Sequence, residues 1–281
     1  MKKIIAVILS LCAAAAVTVT LTSCDTAQSV DESGGTENVP VETGEENEVT
    51  EEDKEAAEEG PTVDKVLDYE IDPTKPMIAL TFDDGPNTTT TNQVLDLLQK
   101  YQVRASFFLI GDNITDASAE AVKRAYDMGC EIDNHSKTHS YMNEMKAEDI
   151  VAEVQYVSDK VEEITGQPTL FFRPPYIAVN DIMYDNIDMP FISGVGNDDW
   201  DPNIDVEMRI KRIQRKVKDG NIILLHDAEG NDQTVESLDT IIPDLLEKGY
   251  QFVTVKELFE YRGVEISADD TNLYSTLNAE G

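Results

Sequence analysis

Short apolar runs alternate with longer amphipathic segments along most of this chain. The runs are rich in β-branched and aromatic residues and predict strands at Met77–Phe82, Ala105–Ile110, Glu131–Asn134, Leu170–Arg173, Phe191–Val195, Asn221–His226 and Gln251–Val255. The segments between them repeat apolar positions every three or four residues and predict helices at Thr90–Tyr101, Ala117–Met128, Ala147–Thr165, Asp205–Lys218 and Val235–Lys248. This alternation predicts an α/β domain with a parallel sheet and helices outside it, either barrel-like or doubly wound.

Polar residues of the kinds used in catalysis come at, or just beyond, the carboxyl ends of five predicted strands. They are Asp83 with Asp84, His135, Arg173, Asp199 and His226. In a parallel α/β barrel these strand ends share one face, which is where such barrels build their sites. The pattern therefore predicts that five clusters distant in sequence meet in one cleft.

The N-terminus has the pattern of an export signal. Lys2 and Lys3 precede an apolar stretch, Ile4–Val19, and small residues then lead to Cys24. We interpret residues 1–23 as a bacterial lipoprotein signal, with cleavage before Cys24 and a lipid on its thiol. An ordinary secretory signal is the alternative, and the apolar stretch is short for a membrane-spanning helix. This interpretation predicts an extracytoplasmic protein anchored to the bacterial cell membrane.

Residues 24–60 have the composition of a disordered acidic linker. Fourteen of the residues between 25 and 60 are Asp or Glu, one is Lys and none is aromatic. The remaining sequence divides into a folded region, residues 61–263, and a polar tail, residues 264–281. The formal net charge of the whole chain is −34, which argues against a nucleic-acid partner and favours a neutral substrate over a polyanion.

The first strand ends in two adjacent carboxylates followed by a turn sequence. Asp83 and Asp84 precede Gly85 and Pro86, and this sequence is also typical of a simple turn. Because adjacent residues leaving a strand point in different directions, the two carboxylates can take different tasks. One can bind a metal while the other accepts a proton.

Two of the three histidines of the chain are four residues apart. His135 and His139 can reach one ion from a turn or from the first turn of a helix. Two imidazoles and a carboxylate suffice for a catalytic zinc that keeps one position open for water. An iron facial triad uses a similar ligand set, and two ordinary surface histidines are the alternative without chemistry. The metal interpretation indicates a hydrolase.

The remaining candidates are isolated residues whose ordinary structural interpretations stay open. His226 ends a buried strand and is a candidate acid, although many such histidines are structural. Arg173 stands beside Pro174 and Pro175 and could pair with a carboxylate. Trp200, the only tryptophan, is a candidate platform for a sugar ring or a core residue.

These clusters, in this order, resemble the NodB-homology polysaccharide deacetylases, carbohydrate esterase family 4, over roughly residues 75–258. The resemblance rests on Thr81–Gly85, His135–His139, Arg173–Tyr176 and Leu224–His226. It implies a distorted parallel (β/α) barrel with a single catalytic domain. It also implies a divalent metal, most commonly Zn²⁺, with Co²⁺ or another divalent ion possible.

The resemblance implies a role for each matched residue. The metal ligands would be Asp84, His135 and His139. Asp83 would be the general base, and Arg173 would orient it.

The other implied roles concern the substrate and the leaving group. The backbone N–H of Tyr176 would bind the oxyanion, and Leu224 would shape the acetate pocket. His226 would be the general acid. We place Asp199 and Trp200 with Tyr176 and Leu224 among the residues that face the substrate.

One stretch departs from the family pattern. Where the family has Asp-x-x-Asp-Trp, this chain ends in Asp199-Trp200 but has Gly196 at the first position. In the family that first aspartate partners the acid histidine, so Asp198 or Asp201 is the expected substitute here.

The sequence as a whole predicts a metal-dependent hydrolase that releases acetate from an N-acetylated polysaccharide. Peptidoglycan amino sugars are the preferred substrate, because a membrane-tethered extracytoplasmic enzyme meets peptidoglycan first. The alternatives are chitin, acetylxylan or a small amide as substrate, or a non-catalytic glycan-binding lipoprotein of the same fold. We expect a monomer anchored to the membrane through Cys24.

Overall fold

The computed structural model describes residues 69–277 of the 281-residue chain. The predicted signal segment 1–23, the lipidation site Cys24 and the acidic linker 24–60 lie outside the described residues, as do residues 61–68 and 278–281. Within the described part, no helix is both long and apolar enough to cross a bilayer.

The described residues form alternating strands and helices. The strands are β1 (Met77–Asp83), β2 (Ser106–Leu109), β3 (Glu131–Asn134), β4 (Phe191–Ile192), β5 (Val195–Gly196), β6 (Ile222–His226), β7 (Gln251–Val253) and β8 (Leu273–Tyr274). The helices are α1 (Thr90–Tyr101), α2 (Asp116–Asp127), α3 (Ala147–Thr165), α4 (Asp181–Asn186), α5 (Val206–Lys216), α6 (Asp232–Glu247) and α7 (Val255–Arg262). The predicted bounds of α1, α3 and β3 agree with the observed ones.

The strands form a parallel ring. The main sheet has the order β3-β2-β1-β6-β5, and β7 pairs with the first residues of β1. Single parallel bridges link Asn134 to Phe172 and Phe172 to Phe191, which joins β3 to β4 through one residue. Only two residues separate β4 from β5, which pairs with β6. The ring confirms the predicted distorted parallel (β/α) barrel.

Alternation along β1 decides which of its side chains enter the barrel. Ile78, Leu80 and Phe82 pack in the core cluster that contains the apolar faces of the surrounding helices. Met77 and Ala79 belong to a different cluster, together with inward residues of β2 and β6. Asp83 has the same parity as Met77 and Ala79 and ends the strand, so its side chain lies at the inner mouth of the barrel.

The same alternation positions the side chains of β6, the neighbour of β1 in the sheet. On β6, Ile223 and Leu225 pack against the helices, which turns Leu224 and His226 inward. The parallel register places His226 opposite Asp83. Every residue of β1 is buried, so Asp83 lies at the end of a strand that is fixed by packing along its whole length.

Two predicted strands differ from the observed ones because the chain changes its hydrogen-bonding partners there. Leu170–Arg173 contributes only the bridges at Phe172. The predicted strand Phe191–Val195 is divided in two: β4 pairs with β8, whereas β5 pairs with β6. Between them, Ser193 N–H donates to the Tyr274 carbonyl over 2.6 Å, which holds the chain at the point where it changes partners.

The tail predicted as a separate segment, residues 264–281, belongs to the folded domain as far as it is described. β8 lies in this tail and pairs in parallel with β4. Leu277 is 3% exposed and packs in the core. The domain therefore extends through residue 277, beyond the boundary expected at residue 263.

Candidate active site

The inner mouth of the barrel opens into a cleft of about 560 Å³. Nine of the ten residues predicted for the catalytic site line it, namely Asp83, Asp84, His135, His139, Tyr176, Asp199, Trp200, Leu224 and His226. The tenth, Arg173, is fully buried and donates to Asp83 from behind. The structure thus brings together all the clusters that the sequence places apart.

Three of these residues present ligand atoms to a common point. The Nε2 atoms of His135 and His139 lie 3.6 and 3.5 Å from Asp84 Oδ1. One ligand atom from each residue can be chosen so that all lie within 4.8 Å of one another. Asp84 Oδ1 is buried and has no hydrogen-bond partner, an arrangement that costs free energy unless a cation satisfies it.

The two imidazoles are also prepared for a metal. The Nδ1 atom of His135 lies 2.7 Å from the Arg173 carbonyl oxygen. Since that oxygen only accepts, Nδ1 carries the proton and Nε2 keeps a free lone pair toward Asp84. Burial and the neighbouring His135 lower the pKa of His139, which favours its neutral, ligating form. The donor set therefore fits a divalent metal ion.

Unusual backbone conformations hold these ligands in place. Asp84, His139 and Tyr176 have φ values of 75°, 56° and 59°, in the left-handed region that residues other than glycine rarely adopt. Ser136, with φ of 67°, accepts from His139 N–H through its hydroxyl over 3.1 Å. The two histidines are therefore brought together by a strained turn, and such strain is typical of functional sites.

The carboxylate beside the ligand set is held in its ionised form. Asp83 is 2% exposed, and Arg173 donates to its Oδ1 over 2.5 Å. Arg173 also donates to Thr81 Oγ1 and to the Ser193 carbonyl, each over 2.8 Å. Burial would raise the pKa of Asp83, but the charge of Arg173, with smaller contributions from His135 and His226, holds that pKa below its usual value.

On the opposite side of the cleft, a histidine is held in its protonated form. His226 Nδ1 donates to Asp199 Oδ1 over 2.9 Å, and its backbone N–H donates to Asp199 Oδ2 over 2.9 Å. Burial lowers the pKa of His226, but the hydrogen bond and the charge of Asp199 outweigh it and raise the pKa to about 9. At neutral pH the ring is therefore an acid.

This pairing corrects the sequence analysis in two respects. Asp199 was expected to face the substrate; it borders the cleft, but it is 1% exposed and its carboxylate is bonded to His226. Asp198 and Asp201 were the expected partners of His226, but Asp198 binds Arg212 and Asp201 accepts from Asn203 at the surface. Gly196 therefore does not deprive the histidine of a carboxylate.

Aromatic rings stand at the two walls of the cleft. On one wall, Tyr176 lies edge-on to His139, with ring centroids 4.6 Å apart, and stacks on Tyr141 at 4.0 Å. On the other wall, Trp200 is 65% exposed. The sequence analysis did not single out Tyr141, although an aromatic residue two positions after a candidate ligand is a usable signal.

A glycine shapes the cleft beside the expected acetate pocket. A Cβ at Gly194 would lie 2.6 Å from the Leu224 Cβ, so only glycine fits there without displacement. A Cβ at Gly196 would meet nothing nearer than the Leu224 carbonyl oxygen at 3.9 Å. Gly196 thus leaves the wall of the cleft open at the position where the sequence departs from the family pattern.

Comparison with known proteins finds similar sequences among polysaccharide deacetylases. The family model for polysaccharide deacetylases matches residues 70–188. The chain is 50% identical over 188 residues to a bifunctional xylanase/deacetylase of Pseudobutyrivibrio xylanivorans, covering 67% of this chain and 31% of that protein. It is 37% identical over 202 residues to a peptidoglycan-N-acetylglucosamine deacetylase of Bacillus cereus, covering 69% of this chain and 93% of that protein.

The fold comparison reaches the same group of proteins. A family 4 acetyl xylan esterase from Clostridium thermocellum, solved in complex with a cobalt ion, matches with a TM-score of 0.70 and 38% identity. The match covers 72% of this chain and 98% of that one. The matched region thus covers nearly the full length of the Bacillus cereus deacetylase and of the solved esterase chain. It covers under a third of the length of the bifunctional xylanase/deacetylase.

Proposed function

This chain belongs to the polysaccharide deacetylase family, and on that premise we propose that it hydrolyses N-acetyl groups of a cell-envelope polysaccharide and releases acetate. The preferred substrate is peptidoglycan, at its N-acetylglucosamine or N-acetylmuramic units. One observation carries the proposal: a single cleft contains an ionised carboxylate and a protonated imidazole on either side of a metal-ligand set. Opposite pKa shifts of this kind assign the base and the acid of a hydrolase.

The proposed cofactor is a divalent metal ion: Zn²⁺ is the preferred ion, and Co²⁺ or another divalent ion is the alternative. Asp84, His135 and His139 would hold it, since Asp84 Oδ1 is buried without a partner and both imidazoles direct Nε2 toward it. A divalent ion lowers the pKa of water from about 15.7 toward about 7 and polarises a carbonyl oxygen.

The protein's own groups then move the protons. Asp83, kept ionised by Arg173, accepts the proton of the attacking water. The backbone N–H of Tyr176, on the left-handed turn at the rim, donates to the developing oxyanion. His226, kept protonated by Asp199, gives its proton to the departing amine.

The sequence outside the described residues supports the proposed location. If Cys24 is lipidated, 36 residues from 25 to 60 follow the anchor, and a flexible chain of that length in general has an r.m.s. span of roughly 30–36 Å. Such a tether would keep the domain close to the outer surface of the membrane, where peptidoglycan is the nearest glycan. We propose an extracytoplasmic, monomeric lipoprotein, and loss of membrane association in a Cys24→Ala variant tests the anchor.

Acetylated xylan is a second candidate substrate. It is favoured by the similarity to a bifunctional xylanase/deacetylase and to an acetyl xylan esterase. The same base and metal ligands would serve, but the leaving group would be an alcohol. A non-catalytic glycan-binding role would be favoured if His226 lacked a carboxylate partner, but Asp199 supplies one.

Acetate release from a panel of substrates tests these proposals. The panel contains peptidoglycan, chitin oligomers, acetylxylan and a small N-acetylated amide, each with and without a chelator. We expect release from peptidoglycan that a chelator and a His139→Ala variant abolish, whereas Lys211→Ala, exposed on the outer helix α5, leaves it unchanged. Release from acetylxylan alone would select the second substrate, and no release from any glycan by zinc-loaded protein would contradict the proposed function.

A further inference from the structure

A second arginine is buried near the cleft and has no part in the chemistry above. Arg209 of α5 is 1% exposed. In residues 69–277 no carboxylate lies within ion-pair distance of it. Burying an unpaired charge is costly unless hydrogen bonds satisfy it. Its side chain accordingly donates to four oxygens: the Ile204 and Asp201 carbonyls, Asn231 Oδ1 and Thr234 Oγ1.

Two of those four acceptors lead directly to the acid. Arg209 donates to Thr234 Oγ1 over 2.8 Å, and Thr234 Oγ1 donates to Asp199 Oδ2 over 2.8 Å. Because a guanidinium can only donate, the threonine hydroxyl uses its single proton toward Asp199. The direction of this chain is therefore determined: the cation orients a hydroxyl that orients the carboxylate.

The second path ends on the backbone of the acid. Arg209 donates to Asn231 Oδ1 over 2.7 Å, which assigns the oxygen of that amide and leaves its Nδ2 as the donor. Asn231 Nδ2 donates to the His226 carbonyl oxygen over 2.9 Å. Arg209 is therefore linked through Thr234 to the carboxylate of Asp199 and through Asn231 to the backbone carbonyl of His226.

We propose that Arg209 is a positioning residue for proton donation by His226, acting through Thr234 and Asn231. The inference rests on the proposed function, because it assigns Arg209 to the same proton transfer. The guanidinium lies one hydroxyl away from Asp199, so it orients the carboxylate without taking the hydrogen bond that Asp199 accepts from His226. Truncation of either link should loosen the acid while leaving the metal ligands and the base in place.

A purely structural role predicts something different. Arg209 also ties the 201–204 loop and the start of α6 to α5, so a variant could lose activity by general loosening. Such loosening would slow every reaction at the site. Misplacement of the acid would slow only reactions whose leaving group needs a proton.

The experiment compares two leaving groups in zinc-loaded protein. One substrate is an N-acetylglucosamine oligomer, whose amine must be protonated, and the other is nitrophenyl acetate, whose phenolate leaves unaided. The variants are Arg209→Met and Thr234→Val, the second removing one hydroxyl at nearly constant shape. Arg209→Lys tests conservative rescue, and Arg215→Met, exposed on the same helix, is the matched control.

We expect both truncations to lower kcat for the oligomer by about ten- to a hundredfold, a part of the about 10²–10⁴-fold that general acid–base groups supply. Turnover of nitrophenyl acetate should change by less than about threefold, and Arg209→Lys should recover part of the loss. Equal losses on the two substrates, or no loss on the oligomer in Thr234→Val, would overturn the inference. The nitrophenyl acetate turnover that remains in His139→Ala is subtracted as background, so that only hydrolysis at this site is compared.

A readout without turnover separates this inference from the proposed function. The chain has three histidines, so proton NMR can assign the Nδ1–H resonance of His226 by its absence in His226→Gln. We expect that proton to exchange with water faster in Thr234→Val and Arg209→Met than in wild type. Unchanged exchange in both would contradict the role of Arg209. If wild type releases no acetate from any glycan, the proposed function fails, while the exchange rates still decide whether Arg209 holds the pair.

Discussion

The two sides of the cleft use the same kinds of groups at different distances. On the base side, Arg173 donates directly to Asp83 over 2.5 Å. On the acid side, the Thr234 hydroxyl stands between Arg209 and Asp199. In both cases a buried guanidinium accompanies a buried carboxylate.

The difference in distance gives the two carboxylates different tasks. Asp83, in direct contact with its cation, has a pKa held below the usual value and stays ionised at the edge of the cleft. Asp199 keeps an oxygen for His226, and this hydrogen bond together with the charge of Asp199 raises the pKa of that imidazole to about 9. One carboxylate becomes a base and the other makes its neighbour an acid. The distance of the guanidinium from each carboxylate, more than the type of residue, therefore determines whether that carboxylate acts as a base or supports an acid.

The largest expected effect comes from removing the ionised carboxylate of the base side. Asp83→Asn keeps the size and the burial of the side chain but removes its proton affinity. We expect kcat for acetate release to fall by about 10²–10⁴-fold, the usual contribution of a general base. Metal analysis should still find stoichiometric ion, because the ligands are Asp84, His135 and His139. Asp239→Asn, exposed on α6, is the control, and turnover within tenfold of wild type would refute the assignment.

The next effect breaks the acid side by removing one charge. Asp199→Asn can still accept from His226 Nδ1 but no longer attracts its proton. In wild type the raised pKa keeps His226 protonated until the pH rises through about 9, so activity should decline only above that pH. In the variant, burial is opposed only by the weaker contributions of Asp83 and Asp84, so the pKa of His226 falls.

The measurement is the pH dependence of kcat/KM. We expect the alkaline limb of the Asp199→Asn profile to move to lower pH and kcat at pH 8 to fall by about ten- to a hundredfold. The stability conferred by the protonated, paired imidazole should likewise be present at low pH and be lost as the pH rises through about 9 in wild type. An alkaline limb at the wild-type position would show that Asp199 does not set the pKa of the acid.

The base side could be predicted from the sequence and the acid side only in part. Asp83 and His226 are the last residues of β1 and β6, which are adjacent parallel strands. Side-chain alternation and strand direction alone therefore place them face to face. The partner of His226 depends on a loop. There, Asp198 adopts a φ of 61° and Asn197 Oδ1 accepts from Asp199 N–H over 3.2 Å. No periodic pattern encodes that turn, and the choice of Asp198 or Asp201 was wrong for this reason.

The fold shows the same division. Long amphipathic helices such as Ala147–Thr165 were predicted to the residue, because their apolar stripe repeats over many turns. The two-residue strand Leu273–Tyr274 was not predicted, since its pairing with Phe191–Ile192 joins residues about eighty positions apart. α7 was missed because Val255, apolar and β-branched, continued the pattern of a strand. In the structure, the capping box of Thr254 and Glu257 starts a helix there instead.

A smaller effect is expected where the substrate binds away from the reacting atoms. Trp200 is 65% exposed on the wall next to the acid. Trp200→Ala should raise KM for glycan oligomers by about two- to tenfold, equivalent to about 0.5–1.5 kcal/mol of ring stacking. We expect kcat to change little, because binding that is equal in the ground and transition states affects KM alone. Tyr261→Ala, exposed on α7, is the control, and a loss confined to kcat would place Trp200 in the chemistry instead.

The smallest effect is expected at the position where the chain departs from its family. A Cβ at Gly196 would stand 3.9 Å from its nearest neighbour, and Asp199 already holds His226. Gly196→Ala should therefore leave the alkaline limb in place and change kcat by less than about threefold, since an added methyl group without a clash is usually tolerated. Gly194→Ala is the matched contrast, because its Cβ would lie 2.6 Å from the Leu224 Cβ and should lower stability by about 1–3 kcal/mol. Thermal unfolding and pH profiles of the two variants decide the matter: a shifted alkaline limb in Gly196→Ala would mean that this backbone position, and not Asp199 alone, adjusts the acid.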